Sequence, residues 1–400
     1  MTVRSPERPA PLAAVLAVTF LGSIGSGGFW AGIFFVTAAS YGFSPVRNLA
    51  LASLMGVVYA VAAAFAGRLL RAVERWLSPR SALAGTLCVW GLVAVLPLSA
   101  PGLEWVLWIA AIIGAAASAV MFPIVESYLT AGRHGGDMRS AIGWFNVTWT
   151  PATAIPLLMM PLLAPTAVLW TLSITGVANA LACTLLFWLS ARPAVAHTES
   201  GSAHGREYPQ LLQAASWLLP LSYVMCSSLA PILPHRLRSL GAATASSVIA
   251  AIWMLARFTT LFAMWRTGFW HGRWPTLTCA ATALLCGLVT VLLGPSLPVV
   301  VFGLVVFGIG MGLTYYCALY YSMAMGHGAV DAGGSFEALI GVGYFVGPLV
   351  GLAAHALGGP SHAEADTGAN VATAIIVLLI STPVLLKAAR PYLQARASRT

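Results

Sequence analysis

The chain has 400 residues, of which 59% are hydrophobic and only 8% charged. A soluble fold carries roughly 25% charged residues to face water, so a water-facing surface is excluded for most of this chain and lipid is its expected solvent. The formal net charge of +9 does not point to nucleic acid, because the basic residues fall in short segments between apolar runs, where they set membrane topology.

A membrane-spanning helix needs roughly 20 mainly apolar residues. Arg4 and Arg8 precede the first such run, and no small-residue cleavage site follows, so a first spanning helix is expected and not a cleaved signal. Runs of the required length fall near 12–38, 46–67, 81–99, 104–128, 141–163 and 167–190, then 212–233, 244–265, 275–293, 297–322, 334–357 and 369–388. The first run carries Gly22, Gly25, Gly27 and Gly28, and the fifth carries Pro151, Pro156 and Pro161. Interrupted helices of this kind often line a pathway, where neighbours or water satisfy the freed backbone groups.

The stretch Ala191–Gln210, rich in Pro, Gly, Ser and charge, reads as a linker. It divides a first half, 1–190, from a second, 211–400. With the N-terminus cytoplasmic and twelve helices, sixteen basic residues fall on inside segments and only Arg47, Arg236 and Arg238 outside, while Arg257 lies within the eighth run. This asymmetry places both termini on the cytoplasmic side and supports an even number of helices.

The halves resemble each other. Arg68, six residues, then Arg75-Trp76 after the second run matches Arg266, six residues, then Arg273-Trp274 after the eighth. Trp144-Phe145-Asn146 in the fifth run corresponds to Ser335-Phe336-Glu337 in the eleventh. Matches in the same order at a constant offset indicate two parallel repeats related by an axis along the membrane normal.

On these features the chain resembles a major facilitator superfamily transporter over nearly its whole length. Gly67-Arg68-Leu69, with Arg71 and Arg75 following, is similar to that family's basic loop motif, although its acidic position is Arg71 here and Glu74 stands three residues on. The family's Gly-Pro pattern on the fifth helix is replaced by Thr150-Pro151-Ala152-Thr153-Ala154-Ile155-Pro156, and the better Gly-Pro match, Gly343 to Gly351, lies in the eleventh run. The resemblance implies an all-α integral membrane protein, with twelve transmembrane helices in two pseudo-symmetric six-helix bundles. The first, fourth, seventh and tenth helices would line a central cavity, and the second, fifth, eighth and eleventh would form the closing seams. It further implies a bacterial inner-membrane location and function as a monomer. An acid at Glu126 would pair with Arg71, Arg75 and Arg139 as a conformational latch, with Gly67 in the same motif.

Ionisable groups within a membrane are costly and mark function. Arg257 is placed to bind an anionic solute group, its planar fork suiting carboxylate or phosphate, or else to form a structural ion pair. Glu337 would take up a proton near neutral pH if partly buried, or serve as an acid stabilised at a helix N-terminus. Asn146, its repeat counterpart, would bind solute or brace the seam. Trp30 and Tyr316 are the aromatic residues chosen to stack on an organic solute, with Tyr223 and Cys226 as weaker candidates and Phe29, Phe34, Phe35, Tyr315, Tyr320 and Tyr321 on the same predicted cavity helices. Asp137 and Asp331 read as solvated caps in corresponding loops.

Six cysteines lie inside apolar runs without a C-x-x-C pair and read as small packing residues. Met323, Met325 and His327 at spacing two do not share a helix face, so no metal site is expected. Gly341-Val342-Gly343 lies in a membrane helix with no strand before it, which excludes a dinucleotide loop. No P-loop appears, and no cofactor is expected. The function expected is secondary transport of a small organic solute, anionic or zwitterionic, coupled to protons or another ion. A receptor or assembly factor on a transporter fold is the alternative. An enzyme acting on lipid is disfavoured, because Glu364 and Asp366 form the only acidic pair at close spacing.

Overall fold

The computed structural model describes residues 9–133, 135–163, 167–194, 207–324, 330–358 and 367–397. Arg4, Arg8, Arg206, Met325, His327, Glu364, Asp366 and Arg399 lie outside them, as do the side chains of Met323, Asp331, Ser335 and Arg396 and most of the expected linker. Every regular element among the described residues is helical. In chain order these are α1 (Leu12–Ser40), α2 (Pro45–Val73), α3 (Pro79–Ser99), α4 (Glu104–Thr130), α5 (Gly135–Met159), α6 (Trp170–Leu185), α7 (Tyr208–Leu229), α8 (Ser246–Arg266), α9 (Trp274–Leu293), α10 (Leu297–Ala324), α11 (Val330–Gly358) and α12 (Thr367–Ala397). Ten of the described helices are long and apolar enough to cross a membrane, or eleven when α7 is joined to its continuation Leu233–Ser239 across a 51° bend. The remaining one, α5, falls short because Asn146, three threonines, Pro151 and Pro156 dilute its apolar content.

The sequence sets several helix boundaries directly. The Ser44 and Ser78 hydroxyls accept from the amides of Arg47 and Ser81, with Pro45 and Pro79 at the first helical position, where a missing N–H costs nothing. α1 loosens into a π turn at Gly28–Gly32, within the glycine-rich stretch of the first run. α7 breaks at Ala230–Ile232, where Pro231 and Pro234 cannot continue the backbone ladder. Arg133 closes α4 by donating to the carbonyls of Tyr128 at 3.0 Å and Leu129 at 2.7 Å.

Some expected boundaries are corrected. The helix α2 continues to Val73, so Gly67, Arg68 and Arg71 belong to its last turns and not to a loop. A helix can leave the hydrocarbon while still wound, with arginines reaching the interface. Asp137 lies in the first turn of α5, and Asp331 on α11. Glu337 is two turns into α11, past the first turn where an acid would meet the helix N-terminus.

The first six helices pack together through α1–α5, α1–α6, α3–α4 and α3–α6, and the last six through α7–α11, α8–α10, α9–α10 and α11–α12. The two groups meet mainly along α2–α11 and α5–α8. Leu92, Phe302, Leu379 and Leu386 are exposed on the outside, as lipid-facing positions should be, since tails are as apolar as Leu.

The α2–α11 seam brings backbones into contact. A Cβ at Gly341 would lie 2.6 Å from Ala60 Cα, and one at Gly56 would strike the Tyr344 carbonyl. Gly56→Val should therefore force the seam apart, at an overpacking cost of about 1–3 kcal/mol. A thermal-melting series in detergent should show Gly56→Ala below wild type and Gly56→Val lower still. Equal melting for all three would mean that the helices do not meet here.

Cys88 on α3 and Cys183 on α6 sit with sulfurs 3.4 Å apart as free thiols. They bridge two helices of the same group as small packing residues.

Candidate functional site

Between the two helix groups lies a cavity of about 90 Å³, space for a few waters in this conformation. The first group supplies Trp30 (α1), Tyr59 (α2), Phe122 (α4), and Phe145 and Trp149 (α5). The second supplies Tyr223 and Cys226 (α7), Trp253 and Arg257 (α8), Tyr315 (α10), and Glu337 and Tyr344 (α11). Arg257 is the one cation and Glu337 the one carboxylate among the described lining residues, and both are 4% exposed.

Arg257 sits in an aromatic box. Its guanidinium carbon lies 4.5 Å from the Trp149 ring centre and 4.7 Å from that of Tyr315. One Nη donates to the Tyr223 hydroxyl at 3.1 Å, while Nε has no partner. Desolvated cation–π contacts contribute about 2 kcal/mol each, which holds the cation in place without neutralising it. Glu337 accepts a hydrogen bond from the Tyr59 hydroxyl across the α2–α11 seam. No ion pair within 4.0 Å joins Arg257 to Glu337, or either of them to another described residue, though each lies in the other's field. A permanent structural ion pair at Arg257 is thus absent among the described residues.

Trp30 stacks on Tyr344 at 4.0 Å and 17°, and its indole N–H donates to Ser118 Oγ at 3.2 Å. Five contacts therefore link the helix groups through the cavity wall: Trp30 on Tyr344, Tyr59 to Glu337, Tyr59 on Tyr344 at 5.4 Å, Trp149 on Arg257, and Trp149 on Tyr315 at 5.2 Å.

Asn146 is fully buried but does not line the cavity. Its Oδ1 accepts from Trp149 Nε1 at 3.0 Å, and its Nδ2 donates to the Ile142 carbonyl at 3.0 Å. It fixes the indole that faces Arg257 and is a positioning residue.

Tyr316 faces away from this cavity. It packs edge-on against Trp270 at 5.4 Å and lines a second cavity of about 350 Å³ with Arg139. Its neighbour Tyr315 takes the central position, because one residue along a helix is a rotation of about 100°. The sequence reading also passed over Tyr59, Trp149 and Tyr344. Their only signal is an aromatic on a seam helix at the level of a buried charge.

The expected latch is not assembled. Glu126 is buried one turn before the end of α4 with Oε1 unpartnered, and it lies in the field of Glu337. It joins no ion pair with an arginine among the described residues, because the α4 face that carries it turns toward the centre. Glu74 instead pairs with Arg192 at 3.5 Å, exposed on both sides, a pair of little energetic weight. Gly67 is buried in α2, while Arg71, Arg75 and Arg139 are exposed.

At the arginine-poor face the cavity is capped by a buried amide. Asn48 Oδ1 accepts from Thr37 Oγ1 at 2.6 Å, and Nδ2 donates to the carbonyls of Phe34 and Pro231, each at 3.2 Å. Pro231 belongs to the break after α7, so this amide ties the two helix groups together. Asn48→Ala should cost about 1–3 kcal/mol, since buried carbonyls lose their donor. A drop in melting temperature checks this, and unchanged melting would mean that water replaces the amide without loss.

No protein-family model and no curated protein sequence matches the chain. Among solved structures, a nucleoside transporter, NupG, is similar with a TM-score of 0.66 at 14% identity, over 94% of this chain and 98% of that one. A structure described as giving insight into proton dependent oligopeptide transporters has a TM-score of 0.69 at 11% identity, over 95% of this chain and 98% of that one. A major facilitator superfamily transporter, FucP, in the outward conformation has a TM-score of 0.59 at 15% identity, over 95% of this chain and 98% of that one. At such identities the likeness is one of fold, and it runs the length of the chain. The fold of this protein is that of the major facilitator superfamily.

Proposed function

We propose that the chain is a secondary active transporter, moving a small organic solute with an anionic group across a bacterial inner membrane by alternating access, with protons as the coupling ion. The observation that carries this reading is the pairing of a buried, unneutralised Arg257 with a buried Glu337 in one aromatic cavity between the helix groups. An unpaired buried cation is expensive, and an anionic solute group docking on Arg257 would offset that cost, its apolar body meeting Trp30, Trp149 and Tyr344. Intramembrane carboxyls are typical proton carriers in pumps and transporters, and Glu337 has the burial and the exchangeable Tyr59 hydrogen bond for that role.

Magnitudes fit alternating access. The five contacts that link the helix groups through the cavity contribute about 1 kcal/mol or somewhat more each. Their sum is comparable to the roughly 4–8 kcal/mol released by binding a millimolar-to-micromolar solute. A solute can therefore replace them and shift the balance between conformations. The similar solved structures include transporters of nucleosides and of oligopeptides, the latter described as proton dependent, which supports the general reading and leaves the solute to chemistry.

The direct test uses proteoliposomes containing the full chain, a panel of small aromatic and aliphatic carboxylates, and an imposed pH gradient. Gradient-driven movement of at least one carboxylate is expected. Movement indifferent to the gradient would remove the coupling claim, and no movement of any anionic solute would remove the assignment of Arg257.

A further inference from the structure

The second cavity, of about 350 Å³, opens at the arginine-rich face between α5 of the first helix group and α8 and α10 of the second. We propose that it is a binding site for the phosphate of an anionic phospholipid, held jointly by Arg139 of α5 and Arg266 of α8.

Charge favours an anion there. Arg139 and Arg266 both line the space with no carboxylate among the described lining residues, and neither belongs to an ion pair among those residues. The nearest acid in sequence, Asp137, does not line the space and makes no ion pair with either arginine among the described residues. Ser140, Thr267, Tyr316 and Tyr320, each bearing a hydroxyl, also line the space. His271 stacks on Tyr320 at 4.6 Å and 12°. Burial, and after it the charge of Arg139, push its imidazole below the usual range. It is therefore a neutral hydrogen-bonding wall at neutral pH, and the two arginines carry the charge. Arginine forks match phosphate oxygens better than ammonium groups do.

Position selects a lipid over a soluble anion. Arg139 is one turn into α5 and Arg266 is the last residue of α8, the depth at which headgroups meet hydrocarbon. Directly inward, Trp265 lines the cavity and touches Trp144 at 4.8 Å and Phe262 at 6.0 Å between ring centres. Trp144 and Phe262 are each 46% exposed. A phosphate between the arginines thus leaves its acyl chains running along an aromatic ridge. A free phosphate would gain nothing from that ridge. Because the two arginines come from different helix groups, an occupied site ties those groups at this face. The inference does not depend on the transport reading.

The test is native mass spectrometry of the full chain in detergent, titrated with phosphatidylglycerol, phosphatidylcholine or inorganic phosphate. Wild type should retain phosphatidylglycerol in preference to phosphatidylcholine, and millimolar inorganic phosphate should not displace it. The Arg139→Gln/Arg266→Gln double variant should bind phosphatidylglycerol about 30-fold more weakly, given about 1 kcal/mol for each basic residue near anionic lipid. Arg390→Gln, an exposed arginine elsewhere, should bind as wild type does. Should the double variant fail to fold, each single variant should show an intermediate loss. Undiminished binding in the variants, an equal loss in Arg390→Gln, or displacement by inorganic phosphate would each overturn the assignment.

Discussion

Arg257→Ala should weaken solute binding by about 30-fold or more while leaving the folded protein as stable as wild type, or more stable. The two halves of this expectation share one cause. Arg257 has no carboxylate within 4.0 Å among the described residues, so deleting it breaks no direct ion pair, and the desolvation cost it removes offsets the cation–π contacts with Trp149 and Tyr315 that are lost. Against an anionic solute, losing one side of a buried charged pair costs about 2–5 kcal/mol, and each 1.4 kcal/mol is tenfold. Arg257→Lys should recover part of the affinity, because the charge returns without the fork that reaches both the solute and the Tyr223 hydroxyl. Binding by calorimetry together with melting temperature reads both halves. A structural arginine would behave in the opposite way, with melting falling and affinity for the residual folded protein intact.

Glu337→Gln should abolish uphill accumulation while sparing exchange. The glutamine carbonyl still accepts from Tyr59, so the bond across the α2–α11 seam survives, but the side chain can no longer release a proton. One coupled proton allows about tenfold accumulation per unit of pH gradient, and the variant should fall to a ratio of about one. Counterflow of labelled solute should persist, because it needs only solute binding and conformational exchange. Loss of counterflow together with accumulation would make Glu337 a solute-binding group, and retained accumulation would move coupling elsewhere, with the buried Glu126 as the nearest other carboxyl.

The arrangement of spans was legible because it rests on long-range composition. Apolar runs and the placement of arginines depend on bulk solvation, which each residue reports independently. Local breaks were legible where Gly dictated them, as in the π turn at Gly28–Gly32, whereas the interruption expected in the fifth run did not occur and α5 continues as one α-helix through Pro151 and Pro156. The site was legible at its charges and at part of its wall, since Trp30, Tyr223, Cys226 and Tyr315 line the cavity. Arg257 and Glu337 stand out because a membrane tolerates few such groups, and both line the cavity. The rest of that wall was not legible: Tyr59, Trp149 and Tyr344 gave no signal beyond being aromatics on seam helices, and Tyr315 and Tyr316 differ only by helix rotation, which packing and not composition sets. Glu126 lies near the end of α4 as expected, but without an arginine partner among the described residues, because helix rotation again decides which side it faces.

The central claim is that a solute reaches one cavity, walled by Arg257 and Glu337, from both sides of the membrane in turn. Cys226 is a native thiol in that wall and is the natural reporter once the other five cysteines are replaced. Membrane-impermeant thiol reagents would be applied to either side of proteoliposomes during exchange. The account predicts modification of Cys226 from each side, faster for an anionic than for a cationic reagent and slowed by transported solute. Reaction from one side only under all conditions, or no dependence on reagent charge, would contradict it.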